Sequence, residues 1–178
     1  MKMGWSWACV LAVVAAPFVA GAQGKTPAPK REALLAASRE VITAARYATM
    51  VTNGLDGQPS ARIVDPFAPD ADLTVWIGTV ASSRKVAELR KDPRVTLMYF
   101  NAPNSEYVTL SGRATLVTDA KDRAAHWKND WNNYYKDQWR GADYALVKVK
   151  VTRLEVLAPR RAINNDPVTW KPPTLTLP

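Results

Sequence analysis

Residues 79–95 read TVASSRKVAELRKDPRV, and this stretch links two strands of the chain through a short helix. It predicts a strand that ends near Thr79 and a helix over residues 83–91. The pair Asp92-Pro93 ends the helix, because proline cannot continue it and also restricts the residue before it. The apolar run that follows begins the next strand. The stretch therefore predicts a strand–helix–strand unit whose helix opens on a serine.

Two adjacent cations lie in the first turn of this helix. Arg84 and Lys85 sit at the positive end of the helix dipole, where each cation is disfavoured by roughly 0.3–1 kcal/mol. A bound phosphate would explain the pair, because it accepts hydrogen bonds from free backbone N–H groups, from the Ser83 hydroxyl and from both side chains. In the alternative interpretation, both side chains simply reach solvent.

Six strands are predicted in all, from apolar runs and from period-two alternation. They cover residues 47–52, 59–67, 73–79, 95–100, 107–117 and 144–157. Turn residues at 53–57 join the first two strands as a hairpin. Hairpin signals between successive strands favour an antiparallel, Greek-key-like barrel over a parallel sheet. The predicted fold class is therefore α+β, mainly β with flanking helices.

Two longer helices complete this prediction. The first spans residues 31–46, and its apolar face carries Leu34, Leu35, Ser38, Val41, Ile42 and Ala45. The second spans residues 119–138, with Asp119 as its N-cap. Its aromatic residues could form a base-stacking platform, but at helical spacing they are more typical of a core or a dimer contact. They are Trp127, Trp131, Tyr134, Tyr135 and Trp139.

Residues 1–22 have the pattern of an export signal. Lys2 precedes an apolar run at 8–20 that is short for a membrane span, and Ala20-Gly21-Ala22 matches a cleavage site. The alternative is an uncleaved anchor. We expect an exported protein, periplasmic or secreted, without stable membrane insertion after cleavage. The remaining chain is divided into a Pro-rich linker (23–30), one domain (31–158) and an irregular tail (159–178).

Composition excludes several kinds of site. The 178 residues provide one domain with a substantial core. One Cys and one His cannot build a Cys/His zinc cluster or an internal disulfide, and no metal site is expected. The net charge of +8 is spread along the chain, and exported proteins rarely meet nucleic acid, so no nucleic-acid partner is expected. The lone His126 is either a heme ligand or, as we favour, an ordinary packed or surface histidine.

Several segments, in their order and spacing, resemble pyridoxamine 5'-phosphate oxidase and its flavin-binding split-barrel relatives. The segments are Pro59-Ser60-Ala61-Arg62-Ile63-Val64, Thr79, Ser83-Arg84-Lys85, Asp92-Pro93-Arg94-Val95 and an alternating strand that carries Gly112. The chain is most similar to the general-stress-protein branch of this superfamily, over about residues 39–157. The resemblance implies a six-stranded Greek-key split β-barrel and a homodimer with FMN at the subunit interface.

The resemblance also implies roles by position. Arg62 and the backbone of Ile63 and Val64 would hold the phosphate and the edge of the isoalloxazine ring. Thr79 would support the flavin. The remaining cofactor-binding positions are Ser83, Arg84 and Lys85, at the phosphate, and Tyr107, which would approach the ring. No catalytic residue is identified by this comparison.

Two positions depart from the family pattern. Asp65 stands where an aliphatic residue is usual, and Gly78 stands where an aromatic residue is usual. The C-terminal Arg/His segment that binds substrate in the oxidase is not recognisable. The expected function is therefore an FMN-dependent oxidoreductase acting on an unknown small molecule. The alternative is a non-catalytic exported flavin or heme binder, and F420 stays open as a second flavin-type cofactor.

Overall fold

Alternating apolar and polar side chains build one antiparallel sheet in this protein. The computed structural model describes residues 29–178, so the predicted signal segment and all but the end of the linker lie outside the described residues. The strands are β1 (Ala48–Asn53), β2 (Pro59–Val64), β3 (Val75–Val80), β4 (Arg94–Asn101), β5 (Glu106–Val117), β6 (Tyr144–Leu157) and β7 (Thr174–Thr176). The helices are α1 (Arg31–Ala45), α2 (Arg84–Lys91) and α3 (Ala120–Ala125).

The strands follow the order β2-β1-β4-β5-β6-β3, and β7 pairs with β6. The sheet curls into a half-barrel, and α1 packs on its core side with Leu34, Val41 and Ile42 buried. The predicted α+β fold, a six-stranded Greek-key split barrel, is confirmed. The predicted last strand coincides with β6, while β7 is a short strand within the region we expected to be irregular.

One glycine permits a close approach inside the sheet. The register between β5 and β6 shifts between Ser111 and Gly112. A β-carbon at position 112 would lie 2.1 Å from the carbonyl oxygen of Lys150, which no real side chain tolerates. Gly112 therefore allows β6 to pass directly against β5 at this irregularity.

The helix predicted over residues 119–138 is wrong in length. Asp119 does cap α3, and its Oδ1 accepts a hydrogen bond from the backbone N–H of Asp122 at 2.9 Å. The helix ends at Ala125, and short 3₁₀ turns follow at Asn129–Asn133 and Gln138–Arg140. The run of Asn and Asp residues favours turns over helix, and the aromatic side chains gain more by packing on the sheet.

These aromatic side chains form a second core, which we call the aromatic cluster. Trp76, Tyr135, Tyr144 and Leu146 are buried in it, and Phe67, Val117, Trp127, Trp131 and Trp139 pack against them. Most of the predicted aromatic group is thus core, although Tyr134 is 77% exposed. The ring of His126 stacks on Trp76 with 4.0 Å between centroids. Within residues 29–178, no helix is long and apolar enough to cross a membrane.

Candidate functional site

The helix α2 contacts both β2 and β3, the first and last strands in the order of the six main strands. Nζ of Lys85 on this helix donates a hydrogen bond to Oγ1 of Thr79 on edge strand β3, at 2.8 Å. The side chain of Glu88 on the same helix accepts one from Nη2 of Arg62 on edge strand β2, at 2.5 Å. The predicted positions 62, 79 and 85 are therefore brought to one place by a single helix.

Ser83 is the N-cap residue of α2, but its side chain does not cap the helix. Its hydroxyl oxygen is shielded from solvent and has no hydrogen-bond partner among residues 29–178. A buried hydroxyl without a partner is costly, because it loses its hydrogen bonds to water. The backbone N–H groups of Arg84 and Lys85 also have no hydrogen-bond partner among the described residues, whereas those of Val86 and Ala87 bond the carbonyl oxygen of Ser83. The start of α2 therefore presents several free donors.

Lys85 is half-buried beside other cations. Burial lowers the pKa of its ammonium group, and the neighbouring Arg62 and Arg84 lower it further, while Glu88 opposes them. A cation held among cations is a natural partner for an anion, because an added negative charge relieves the repulsion. This electrostatic setting agrees with the anion-binding interpretation of the sequence.

Glu88 is the residue at this site that the sequence prediction missed. Its side chain is 1% exposed, and Oε2 accepts a hydrogen bond from the Thr52 hydroxyl at 2.6 Å. Its Oε1 lies 3.2 Å from Nε of Arg84. Burial alone would raise the pKa of this carboxyl, but hydrogen bonds from Thr52 and Arg62 outweigh it and hold the pKa below its ordinary value.

Both terminal nitrogens of the Arg62 guanidinium group are hydrogen-bonded to other side chains of the protein. Its Nη2 bonds Glu88 and its Nη1 bonds the hydroxyl of Thr52. The three cations Arg62, Arg84 and Lys85 and the one carboxylate Glu88 leave a local formal charge of +2. The spacing of Arg84 and Glu88, four residues apart on one helix, was the signal that could have pointed to this ion pair.

The remaining predicted positions lie elsewhere on the sheet. Val64 is buried in the core and Ile63 is 67% exposed, since neighbouring residues of a strand face opposite ways. Tyr107 lies on β5, three strands away from β2, which corresponds to about 14 Å. In one chain, Ile63 and Tyr107 therefore do not join the group around α2.

Ile63 and Tyr107 belong to one surface, which we call the outer face. Ile63 and Met98 both pair with Thr49, and Phe100 pairs with Tyr107, so all four side chains lie on the same side of the sheet. Met98 is 38% exposed and Phe100 is 54% exposed. The outer face thus carries exposed apolar side chains on several strands, with Thr49 between Ile63 and Met98.

The unusual acid at position 65 is neutralised by basic side chains. Nζ of Lys128 lies 2.8 Å from Oδ2 of Asp65, and Nε of Arg46 lies 3.8 Å from Oδ1. The same Lys128 ammonium lies over the rings of Phe67 and Trp131, at 5.0 and 5.3 Å from their centroids. Asp65 therefore adds little uncompensated negative charge beside the edge strand.

His126 lies in the aromatic cluster. Its ring meets Phe67 edge to face, with 5.2 Å between centroids, and its Nδ1 lies 2.8 Å from the carbonyl oxygen of Asp122. This environment is that of a packed histidine. Across residues 29–178, no three His, Cys, Asp or Glu side chains are grouped as metal ligands.

Comparisons with known proteins agree with this fold. The sequence profile of the family described as pyridoxamine 5'-phosphate oxidase matches residues 34–158. No curated protein matches the chain. A solved structure from Clostridium acetobutylicum, related to general stress protein 26 of Bacillus subtilis, is similar with a TM-score of 0.67 and 18% identity, over 83% of this chain and 96% of that chain.

Two further solved structures share the fold. A pyridoxamine 5'-phosphate oxidase-related, FMN binding protein from Nostoc punctiforme matches with a TM-score of 0.56 and 17% identity, over 76% of this chain and 86% of that chain. A heme binding protein from Mycobacterium smegmatis matches with a TM-score of 0.57 and 20% identity, over 72% of this chain and 55% of that chain. These solved structures share the fold, and the family profile, which matches more than half of the chain, shows that the chain belongs to the pyridoxamine 5'-phosphate oxidase family.

Proposed function

We propose that this protein binds FMN at the start of α2 and acts as an FMN-dependent oxidoreductase. The observation that carries the proposal is the shielded Ser83 hydroxyl, which has no hydrogen-bond partner among residues 29–178 and lies beside Arg84 and Lys85. Membership of the superfamily supports a flavin as the phosphate-bearing ligand.

The residues at this site fit a phosphate monoester. Such a group carries about −1.5 to −2 charges near neutral pH and three strong acceptor oxygens. The local formal charge of +2 complements it. The Ser83 hydroxyl, the backbone N–H groups of Arg84 and Lys85 and the terminal N–H donors of Arg84, none of which has a partner among residues 29–178, would supply hydrogen bonds. Thr79 holds Lys85 in place for the same anion.

A bound flavin would supply the transfer of a hydride or of electrons, and the protein would supply binding and orientation. Because the flavin would carry out the transfer, the proposed function does not require a Ser/His/Asp set of catalytic residues. The cations around α2 would hold the phosphate end. Ile63, the backbone of Val64 and Tyr107 would shape the ring end, and the substrate would be a small molecule of unassigned class.

We further propose that the protein is a homodimer in which the outer face is covered by a second copy. Phe100 and Ile63 expose large apolar areas on a continuous sheet surface, which is unusual for a free monomer. Ile63 and Tyr107 stand apart from α2 within one chain. A second copy on the outer face would give these residues a flavin to contact.

Non-catalytic binding of flavin or heme outside the cytoplasm is the second candidate. The proposed export segment at residues 1–22 favours it, because an exported protein acquires its cofactor after crossing the membrane. The heme binding protein from Mycobacterium smegmatis shares the fold, which keeps heme among the ligands to be tested.

The first experiment is an absorbance spectrum of the purified protein before and after FMN is added and free ligand is removed. We expect flavin bands near one FMN per chain. Arg84→Ala with Lys85→Ala should raise the FMN dissociation constant by about 100-fold or more, since hydrogen bonds to charged groups contribute roughly 1.5–3 kcal/mol each.

The matched control changes the same residue types at the other end of α2. Arg90→Ala with Lys91→Ala should leave FMN binding unchanged. Equal affinity of wild type and the Arg84/Lys85 variant would contradict the phosphate assignment. A Soret band would favour heme carriage, and a protein that retains no flavin would rule out the proposed function. Turnover with added electron donors would then separate an oxidoreductase from a carrier.

A further inference from the structure

We propose that Glu88 is an internal counter-ion of the phosphate site, which offsets one of its three positive charges with or without a bound ligand and thereby limits the affinity of the site for phosphate. The inference rests on the proposed function in one respect, because it takes the start of α2 as a phosphate site. It concerns a residue that the family resemblance did not single out.

The contacts of Glu88 are of the kind that phosphate groups make in proteins. Its two oxygens meet two guanidinium groups, Nη2 of Arg62 at 2.5 Å and Nε of Arg84 at 3.2 Å. The Thr52 hydroxyl donates a third contact at 2.6 Å. A carboxylate and a phosphate both suit the planar donor array of arginine. Glu88 is thus an anion already present beside the proposed anion site.

The ion pair between Glu88 and Arg62 is buried, which strengthens the interaction between the two charges. The Arg62 side chain is 16% exposed and that of Glu88 is 1% exposed, so solvent screens their interaction weakly. Without Glu88, Arg62 would lack its main partner and would face Arg84 and Lys85 without compensation. Removing one partner of a buried pair is costly, because it leaves an uncompensated charge. A bound phosphate could supply the negative charge that compensates Arg62 in place of Glu88.

The arrangement still leaves room for a ligand. Of the five N–H donors of Arg84, the ion pair with Glu88 involves Nε, and the Arg84 side chain is 68% exposed. The Ser83 hydroxyl has no partner among the described residues, and Lys85 is held by a neutral hydroxyl. A phosphate can therefore bind while Glu88 stays in place, against a local charge of +2. Without the carboxylate, the local charge would be +3.

Glu88→Gln tests this directly, because glutamine keeps the shape of the side chain and can still accept from Thr52. We expect the variant to bind inorganic phosphate and FMN about tenfold more tightly than wild type, because one negative charge close to the ligand has been removed. We also expect a lower melting temperature in sodium chloride, which sodium phosphate at the same ionic strength restores.

Glu155→Gln is the matched control, since Glu155 pairs with Arg153 near the opposite end of β6 from Ala145, the residue that pairs with Thr79. It should change neither phosphate affinity nor the phosphate-dependent melting temperature. Equal or weaker phosphate binding by Glu88→Gln would overturn the proposal, because Glu88 would then serve only to place the arginines. A Glu88→Gln variant that stays unfolded in both salts would overturn it too, since phosphate would have failed to replace the carboxylate.

The same titrations separate this inference from the proposed function. If wild type and variant bind phosphate as expected but neither binds FMN, the counter-ion role holds and the flavin assignment fails. If wild type binds FMN and Glu88→Gln does not differ from it in either ligand, the flavin assignment holds and the counter-ion role fails.

Discussion

The indole of Trp131 lies directly over the backbone of Gly78. A β-carbon at position 78 would come within 2.4 Å of Cζ3 of Trp131 and 2.9 Å of Cε2 of Tyr144. The family resemblance leads one to expect an aromatic side chain at position 78. In this chain, position 131 supplies an aromatic ring at that place, and glycine makes room for it.

Gly78→Ala should therefore destabilise the protein by about 1–3 kcal/mol, because the added methyl group overpacks the aromatic cluster. The free energy of unfolding in urea measures this cost. In a Trp131→Leu background the same substitution should cost much less, since the smaller side chain can move away. Costs that simply add in the double variant would show that the two residues do not oppose each other.

The outer face gives a prediction about oligomeric state. Phe100→Glu places a charge on the outer face and should convert the proposed dimer into a monomer, because burying an unpaired charge is costly. Sedimentation velocity measures the change, and FMN affinity should fall with it. Val168→Glu, at a tail position that is 83% exposed, is the control and should stay dimeric. A dimeric Phe100→Glu variant would place the interface elsewhere.

The buried Glu88 gives a prediction about acid stability. Its pKa is held below the ordinary value of 4.5 in the folded protein, so the unfolded chain takes up this proton first as the pH falls. The stabilisation from ionised Glu88 is complete above pH 4.5 and is lost as the pH falls through the lower folded pKa.

Glu88→Gln should therefore show a flatter dependence of unfolding free energy on pH below 4.5. The difference from wild type should reach up to about 1.4 kcal/mol per pH unit, the value for one proton. Urea unfolding at a series of acidic pH values measures both curves. The carboxyls of Asp72 and Asp92, whose pKa values are also lowered, are present in both proteins and cancel. Parallel curves would mean that Glu88 does not titrate in this range.

His126 should matter for stability and not for ligand binding. His126→Ala removes the stack on Trp76 and the edge contact with Phe67, each of which contributes about 0.5–1.5 kcal/mol. His126→Phe keeps an aromatic ring and should recover most of the loss. FMN affinity, and any Soret band, should be unchanged in both variants. Loss of either signal in His126→Phe would make the imidazole a ligand group.

The strands were predicted well from the sequence where apolar and polar residues alternate regularly. Val147, Val149 and Val151 alternate with Lys148 and Lys150, and β6 follows the predicted bounds. The position of α2 was also predictable, because Ser83 precedes the helix and Asp92-Pro93 ends it. In both cases the information is local to a few neighbouring residues.

The prediction failed where the outcome depends on distant packing. The spacing of Trp127, Trp131 and Tyr135 fits a helix, but the same rings pack on Tyr144 from a chain of short turns. Glu88 looked like an ordinary helix acid, and only its approach to Arg62 across the barrel opening makes it part of the site. Such contacts are set by the fold, which periodicity alone does not reveal.

The pairing of β3 has a consequence for the order of folding. β1 and β2 form a hairpin, as do β4 and β5, whereas Val75 must find Val149 and Val80 must find Tyr144. Closing so long a loop is entropically costly, so β3 should enter the sheet late. Thr79 lies on that strand and holds Lys85. A growing chain that ends before β6 thus lacks the strand with which β3 pairs, so the contact between Lys85 and Thr79 can be fixed only after nearly the whole chain has been synthesised.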